Sequence, residues 1–248
     1  ILPGFLAGYA IGFLSPLVEK YLPDGLDTII GALLLAPAAR LIAFAADPVV
    51  NAAMEYIGMT ITAATEQSPV IMGFLLGGIM KMICTSPLSS MALTAMLGLT
   101  GLPMGIAAIA CVAGSFTNGI LFARLHLGDR SNVIAVMLEP LTQAHIITRY
   151  PIPIYASDFL GGGLAGIAAA LLGIVNNAPG TASPIPGLMA PFAFNPAGKV
   201  VLALAIGAAS GIFAGLVGSF VFKRFATGEK ASVKAPVQVS GTALPSKV

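Results

Sequence analysis

Charge is what this sequence has least of: twelve basic and ten acidic side chains make up 9% of its 248 residues. A soluble domain of this length carries about a quarter charged residues, so a water-facing globule is excluded. The net charge of +2 is small and the basic residues are scattered or lie near segment ends, which removes nucleic acid as a partner. Cysteine is almost as scarce. Cys84 and Cys111 stand in apolar surroundings without C-x-x-C or metal-ligand spacing, so they read as buried small hydrophobes and neither redox chemistry nor a metal centre is indicated. No H-E-x-x-H or G-x-S-x-G occurs, and the serines at 86–90 have no histidine near them in sequence, which leaves hydrolytic catalysis without support. No catalytic residue and no cofactor are expected.

Apolar residues fill the space that charge leaves. They form 57% of the chain, its mean hydropathy is +0.94, and they come in runs long enough to cross a bilayer. Six such runs are predicted as spans: residues 1–17, 28–46, 69–84, 104–123, 159–175 and 199–222. The expected fold class is all-α, a polytopic integral membrane protein with re-entrant or broken helices. Its membrane-embedded domain covers residues 1–224, and a disordered cytoplasmic tail covers 225–248. The chain opens inside an apolar run without Met or a charged leader, which predicts a fragment that has lost upstream segments. Small residues at four-residue spacing predict close helix packing: Gly4, Gly8 and Gly12, then Gly73 and Gly77, then Gly207, Gly211 and Gly215.

Polar residues interrupt this pattern at defined places. Residues 47–68 set Val50, Met54, Ile57 and Ile61 at helical spacing opposite a polar side, which predicts a separate interfacial helix started by Asp47 and Pro48. Arg40 and Lys81 lie near span ends and are expected to snorkel, while Asn118 is expected to bond across helices. His126 reads as a solvated turn residue. Arg124 and Arg130 mark a cytoplasmic turn and the acidic stretch 19–27 an external one. Lys223 would then share the side of Arg124 only if the chain between the fourth and fifth spans enters and leaves on that same side. A first polar insertion, 85–94, carries Ser86, Ser89, Ser90 and Pro87, and has two readings: an ordinary loop of modest hydrophobicity, or, as the scarcity of charge elsewhere favours, a re-entrant hairpin whose hydroxyls face a water-filled site.

The second insertion, LEPLTQAHIITRYPIPIYASD at 138–158, gathers Glu139, Gln143, His145, Arg149 and Asp158 between apolar spans. Glu139 and Gln143 share one helical face, as do His145 and Arg149. Pro151 and Pro153 lack the N–H that a helix interior uses, so a short helix running into extended backbone is expected. Broken backbone at membrane depth must be buried or line a cavity, where a polar solute can be held. Glu139, Gln143, His145, Arg149, Ser86, Ser89 and Ser90 are the candidate substrate-binding residues. A structural alternative stays open, in which Glu139–Arg149 or His145–Asp158 are ion pairs that hold the break.

The stretch LEPLTQAHIITRYPIPIYASDFLGGGLAG, paired with NNAPGTASPIPGLMAPFAFNP at 176–196, resembles the membrane-embedded C component of phosphotransferase-system sugar permeases. It looks closest to the fructose-like side, in the divergent enzyme IIC-like branch that includes membrane regulators of perfringolysin expression. The resemblance covers about residues 1–224. It implies a multi-pass protein of the bacterial plasma membrane, a homodimer in the lipid bilayer, that binds and translocates a sugar or polyol. Separate EIIA and EIIB phosphocarriers would supply the phosphoryl group, since no residue here is placed to carry it. The family's Thr-Glu pair falls on Thr142 and Gln143, which adds Thr142 to the candidate site and moves the acidic role to Glu139. The family's loop histidine is missing from APGTASPIPG. These departures favour an alternative, an uncoupled transporter or membrane sensor on the same scaffold.

Overall fold

The structure, a computed structural model, describes residues 2–21 and 26–223. The expected disordered tail lies outside the described residues, as does the centre of the acidic turn. Among the described residues the chain is helical with no strand. The elements are α1 (Leu2–Tyr21), α2 (Leu26–Gln67), α3 (Pro69–Thr85), α4 (Ser90–Met96), α5 (Gly101–Leu125) and α6 (Arg130–Leu138). A 3₁₀ turn at Pro140–Gln143 leads to α7 (Ala144–Ile147) and α8 (Pro151–Leu171). Then come α9 (Pro184–Met189), a second 3₁₀ turn (Ala190–Ala193) and α10 (Ala197–Val221). Four of these helices are long and apolar enough to cross a membrane: α5, α8, α10 and the Ile29–Gln67 part of α2. Each of the six predicted spans coincides with a helix, but α3, expected as a third span, is a shorter apolar helix outside those four, as is the apolar part of α1, Leu2–Leu14.

Two local expectations are corrected. Residues 47–68 are not a separate interfacial helix, because α2 continues through Pro37 and Pro48 without a break. Asp47 does not cap a new helix; its Oδ2 accepts from Asn51 Nδ2 one turn on, at 3.0 Å. At 1.5 Å per residue α2 is about 63 Å long, about twice the hydrocarbon thickness, so only part of it can lie among lipid tails. The second correction concerns Pro151 and Pro153. They do not extend the backbone but open α8, where a first-turn proline loses no helical hydrogen bond. The fifth span therefore begins at Pro151 rather than Phe159, and Asp158 falls inside it.

The core is a bundle of α3, α5, α8 and α10, held by glycine. Gly73 and Gly77 of α3 face Gly166 and Gly162 of α8 so closely that an added Cβ on Gly73 would meet the Gly166 carbonyl at 2.7 Å. Phe159 lies over Gly78 and Phe74 over Gly163, and the two rings meet edge to face with centroids 5.4 Å apart. On the other side of α8, Gly211 and Gly215 of α10 press on Ala113 and Thr117 of α5, and Thr117 Oγ1 donates to the Gly211 carbonyl at 3.1 Å. Between apolar helices in lipid such close backbone approach supplies the packing energy that hydrophobicity does not. Gly4, Gly8 and Gly12 differ: among the described residues nothing outside their own stretch of helix lies within 4 Å of where their Cβ atoms would be.

These contacts fix the directions. Gly211 to Gly218 of α10 climbs past Ala113 to Leu121 of α5, so the two run parallel, while Ser157 meets Gly218 and Ala165 lies near Gly207, so α8 runs opposite. Leu125, Leu127, Val136, Ile147 and Ile154 share one apolar cluster. The chain between α5 and α8 thus enters and leaves at the same end, the end that carries Arg124, Arg130, Arg149 and Lys223. At the other end, Gly73 is level with Ala170, and the Gly101 carbonyl accepts from Asn176 N at 2.9 Å. Residues 69–100 therefore form a second hairpin, α3 descending and α4 returning, inserted from the end opposite the basic one.

The seam predicts an asymmetry between glycines. Gly166→Val should destabilise the detergent-solubilised protein by about 3 kcal/mol or more, because the added group meets backbone that cannot shift. Gly8→Ala should be neutral or stabilising by about 0.5–1 kcal/mol, the cost of glycine in a helix interior. Thermal unfolding of both variants checks the contrast, which fails if they shift alike.

Candidate functional site

Three interruptions of helix converge in the middle of the bundle. The α3–α4 tip arrives from one end, the 138–143 turn from the basic end, and the loop before α9 from the first end again. Ser90 Oγ, buried at the start of α4, donates to the Ala182 carbonyl in the loop. One residue on, Ser183 Oγ donates to Glu139 Oε2 at 3.3 Å. Glu139 holds that position because α6 ends there, and its own carbonyl accepts from Thr142 Oγ1 at 2.7 Å. Gln143 is buried and ties the arms of the turn: its Oε1 accepts from Asn132 Nδ2 at 2.7 Å and its Nε2 donates to Thr142 Oγ1 at 3.2 Å.

The expected site residues thus separate into two groups. Glu139, Thr142, Gln143 and Ser90 lie in or beside the convergence. Ser86 instead shapes the α3–α4 turn, donating to the Ile83 carbonyl at 2.8 Å and accepting from Leu88 N at 3.1 Å. Ser89 is exposed and caps α4 by accepting from Ala92 N at 3.2 Å. His145 and Arg149 are exposed on the basic side, and the Arg149 guanidinium lies 5.9 Å from the Tyr150 ring centre.

Beside the convergence lies a polar cluster that local patterns do not reveal. Lys81 does not snorkel; it is fully buried, with Nζ 3.9 Å from Asp158 Oδ1 of the equally buried Asp158. That placement also replaces the His145–Asp158 pair considered from sequence. Asn118 bridges the two charges. With its amide oriented by them, its nitrogen donates to Asp158 Oδ1 at 3.2 Å, and its oxygen accepts from Lys81 Nζ at 3.3 Å and from Thr85 Oγ1 at 3.1 Å. The expectation that Asn118 bonds across helices is met. Room for the lysine comes from glycine again, its methylenes lying where side chains on Gly114 and Gly162 would be. Asp158 Oδ2 and Ser115 Oγ, both buried, have no hydrogen-bond partner among the described residues. Ser115 is one turn before Asn118 on α5, so it faces the same side.

The arrangement defines a class: an all-helical membrane protein whose helix interruptions gather polar side chains at mid-bundle. Residues 1–234 match the family described as Phosphotransferase system, EIIC, and the chain belongs to that family. It is a membrane permease component of a phosphotransferase system. No curated protein and no solved structure matches the chain.

A signal for Lys81–Asp158 does exist in the sequence, but it is arithmetic and not a motif. Lys81 is the single charged residue of α3 and Asp158 the single charged residue of α8. Two helices that each carry one charge, of opposite sign, are paired by the cost of leaving either alone in lipid.

Lys81→Met should cost about 3–5 kcal/mol, because it leaves the Asp158 carboxylate buried without its counter-charge. Combining it with Asp158→Leu should recover most of that loss. Denaturation in detergent measures both, and a single variant as stable as wild type would remove the pair's structural role.

Proposed function

We propose that the solute is a sugar or polyol held where the three interruptions meet, with Glu139, Thr142, Gln143 and Ser90 as its polar contacts. The observation that carries this is the Ser183–Glu139 hydrogen bond, because it joins the turn from the basic end to the loop from the opposite end across the middle of the bundle. A sugar presents many hydroxyls, and each left unpaired in a buried site costs about 1–3 kcal/mol. Glu139 has a second carboxylate oxygen to offer beyond the one Ser183 engages. Gln143 must exchange one of its present bonds with Asn132 or Thr142 to hold solute. His145, Arg149, Ser86 and Ser89, set back from the convergence, would act at the approaches to it.

Transport then follows from the same geometry. A solute entering from the end opposite the basic one displaces the Ser183 hydroxyl from Glu139 and so frees the loop from the turn. The carboxylate can act as base toward the sugar hydroxyl that becomes phosphorylated. The phosphoryl group comes from a separate B component recharged by an A component, docking at the basic, cytoplasmic end. The protein works in the bacterial plasma membrane as a homodimer, and the fructose-like, enzyme IIC-like branch is its place in the family.

Thermal unfolding of the purified protein against sugars, sugar acids and polyols tests the site. A solute at a hundred times its dissociation constant should stabilise the folded state by about 2.7 kcal/mol. Glu139→Ala should abolish that shift and Gln143→Ala should reduce it. If the variants respond as wild type does, the site lies elsewhere. If no solute shifts the protein, the membrane-sensor alternative replaces transport.

A further inference from the structure

Among the described residues, the buried side-chain oxygens without a hydrogen bond are Asp158 Oδ2 and Ser115 Oγ, and both belong to the polar cluster of Lys81 and Asn118. Asp158 is wholly buried and Ser115 is 7% exposed. Buried polar atoms are paired almost without exception, so two orphans in one cluster call for an occupant. Asp158 spends its other oxygen on Lys81 and Asn118, at 3.9 and 3.2 Å. Ser115 stands one turn after Cys111 and one turn before Asn118, on the stripe of α5 that meets α3 at Cys84 and Thr85. Other hydroxyls in these helices turn back on their own backbone: Ser157 donates to the Pro153 carbonyl at 2.7 Å and Ser210 to the Ile206 carbonyl at 2.8 Å. Ser115 does not, and it does not bond Asp158 either, so a third group can stand between the two.

The cluster adjoins the convergence of helix breaks. Cys84 is hydrogen-bonded to Ser90, whose Oγ reaches the Ala182 carbonyl, and Glu139 lies close enough to Lys81 for their charges to interact. The chemistry of the missing group follows from the two atoms that await it. An ionised carboxylate only accepts hydrogen bonds, and a serine hydroxyl donates one proton of its own. A group that satisfies both must give one proton and offer one lone pair. A hydroxyl does both, whereas a carboxylate only accepts and an ammonium only donates.

We propose that Asp158 Oδ2 and Ser115 Oγ hold one hydroxyl of the solute, which donates to the carboxylate and accepts from the serine. The buried ion pair is then an inner wall of the solute site as well as an anchor of the bundle. Lys81 and Asn118 are positioning residues: they engage Oδ1 and leave Oδ2 for the solute. The inference rests on the reading of the convergence as a sugar or polyol site, and extends that site to α5 and α8, which supply none of its contacts named so far. A single trapped water has the same donor and acceptor pattern and is the competing occupant.

Thermal unfolding and solute titration of the purified protein in detergent, with fructose, glucose, mannitol and galactitol as probes, separate the two occupants. Ser115→Ala should melt no lower than wild type, because it removes an unpaired hydroxyl. It should nevertheless bind the most stabilising probe about two- to tenfold more weakly, the net effect of one hydrogen bond. Asp158→Asn should weaken binding further, since a bond to a charged acceptor is the stronger kind. If that variant does not fold, Ser115→Ala decides. Ser210→Ala should bind as wild type does. A Ser115→Ala protein that melts lower and binds the probe unchanged shows that the two atoms hold a structural water, and overturns the proposal. Unchanged binding by Ser115→Ala beside lost binding by Glu139→Ala removes this subsite and keeps the site at the convergence. If none of the four probes shifts wild type, the site and its subsite fall together.

Discussion

Everything in the bundle is arranged around two opposite charges kept out of water. Lys81 and Asp158 bring α3 and α8 together at one level, and Asn118 draws α5 to the same point. Taking both ions into a low-dielectric interior is expensive, and their attraction offsets that cost only when further hydrogen bonds complete the geometry. The amide supplies one bond to each ion. The glycines at 114 and 162 make the arrangement possible, since any side chain there would occupy the lysine's path. A buried pair of this kind adds little net stability but strongly penalises every misaligned packing, because a shifted register strands a charge.

From this anchored level the interruptions of helix take their positions. Thr85, bonded to Asn118, is the last residue of α3, so the α3–α4 tip begins where the polar cluster ends. Glu139 ends α6 at the C-terminal side of a helix packed on α5, and Met137, two residues before it, rests on Gly119. The loop before α9 reaches the same depth, with Gly187 against Ala108 to hold it there. Backbone freed by these breaks stays inside protein, which is the condition for irregular chain at membrane depth.

How much of this was legible in the sequence depended on whether the deciding contact was local. The apolar runs predicted the six long helices, since length and hydropathy are properties of one segment, but not the short α6 and α9. The 138–158 stretch and the serines at 85–94 stood out because polarity is conspicuous in such surroundings. Proline was harder. At 48 it looked like a start and lies in mid-helix; at 151 and 153 it looked like a break and is a start. The ring removes the N–H donor at its own position, yet that alone does not say whether the position opens a helix or lies within one. Lys81–Asp158 was missed for the same reason. The partners are 77 positions apart, and only the fold makes them neighbours.

The bare backbone contact between α3 and α8 also limits how the protein can change. In a core of interlocking side chains an enlarged residue can be offset by a smaller neighbour, so errors have suppressors. Where Gly73 and Gly77 meet Gly162 and Gly166, no neighbour is left to shrink. Such a surface has no second-site repair, so the faces that α3 and α8 turn away from each other are where substitution is tolerated.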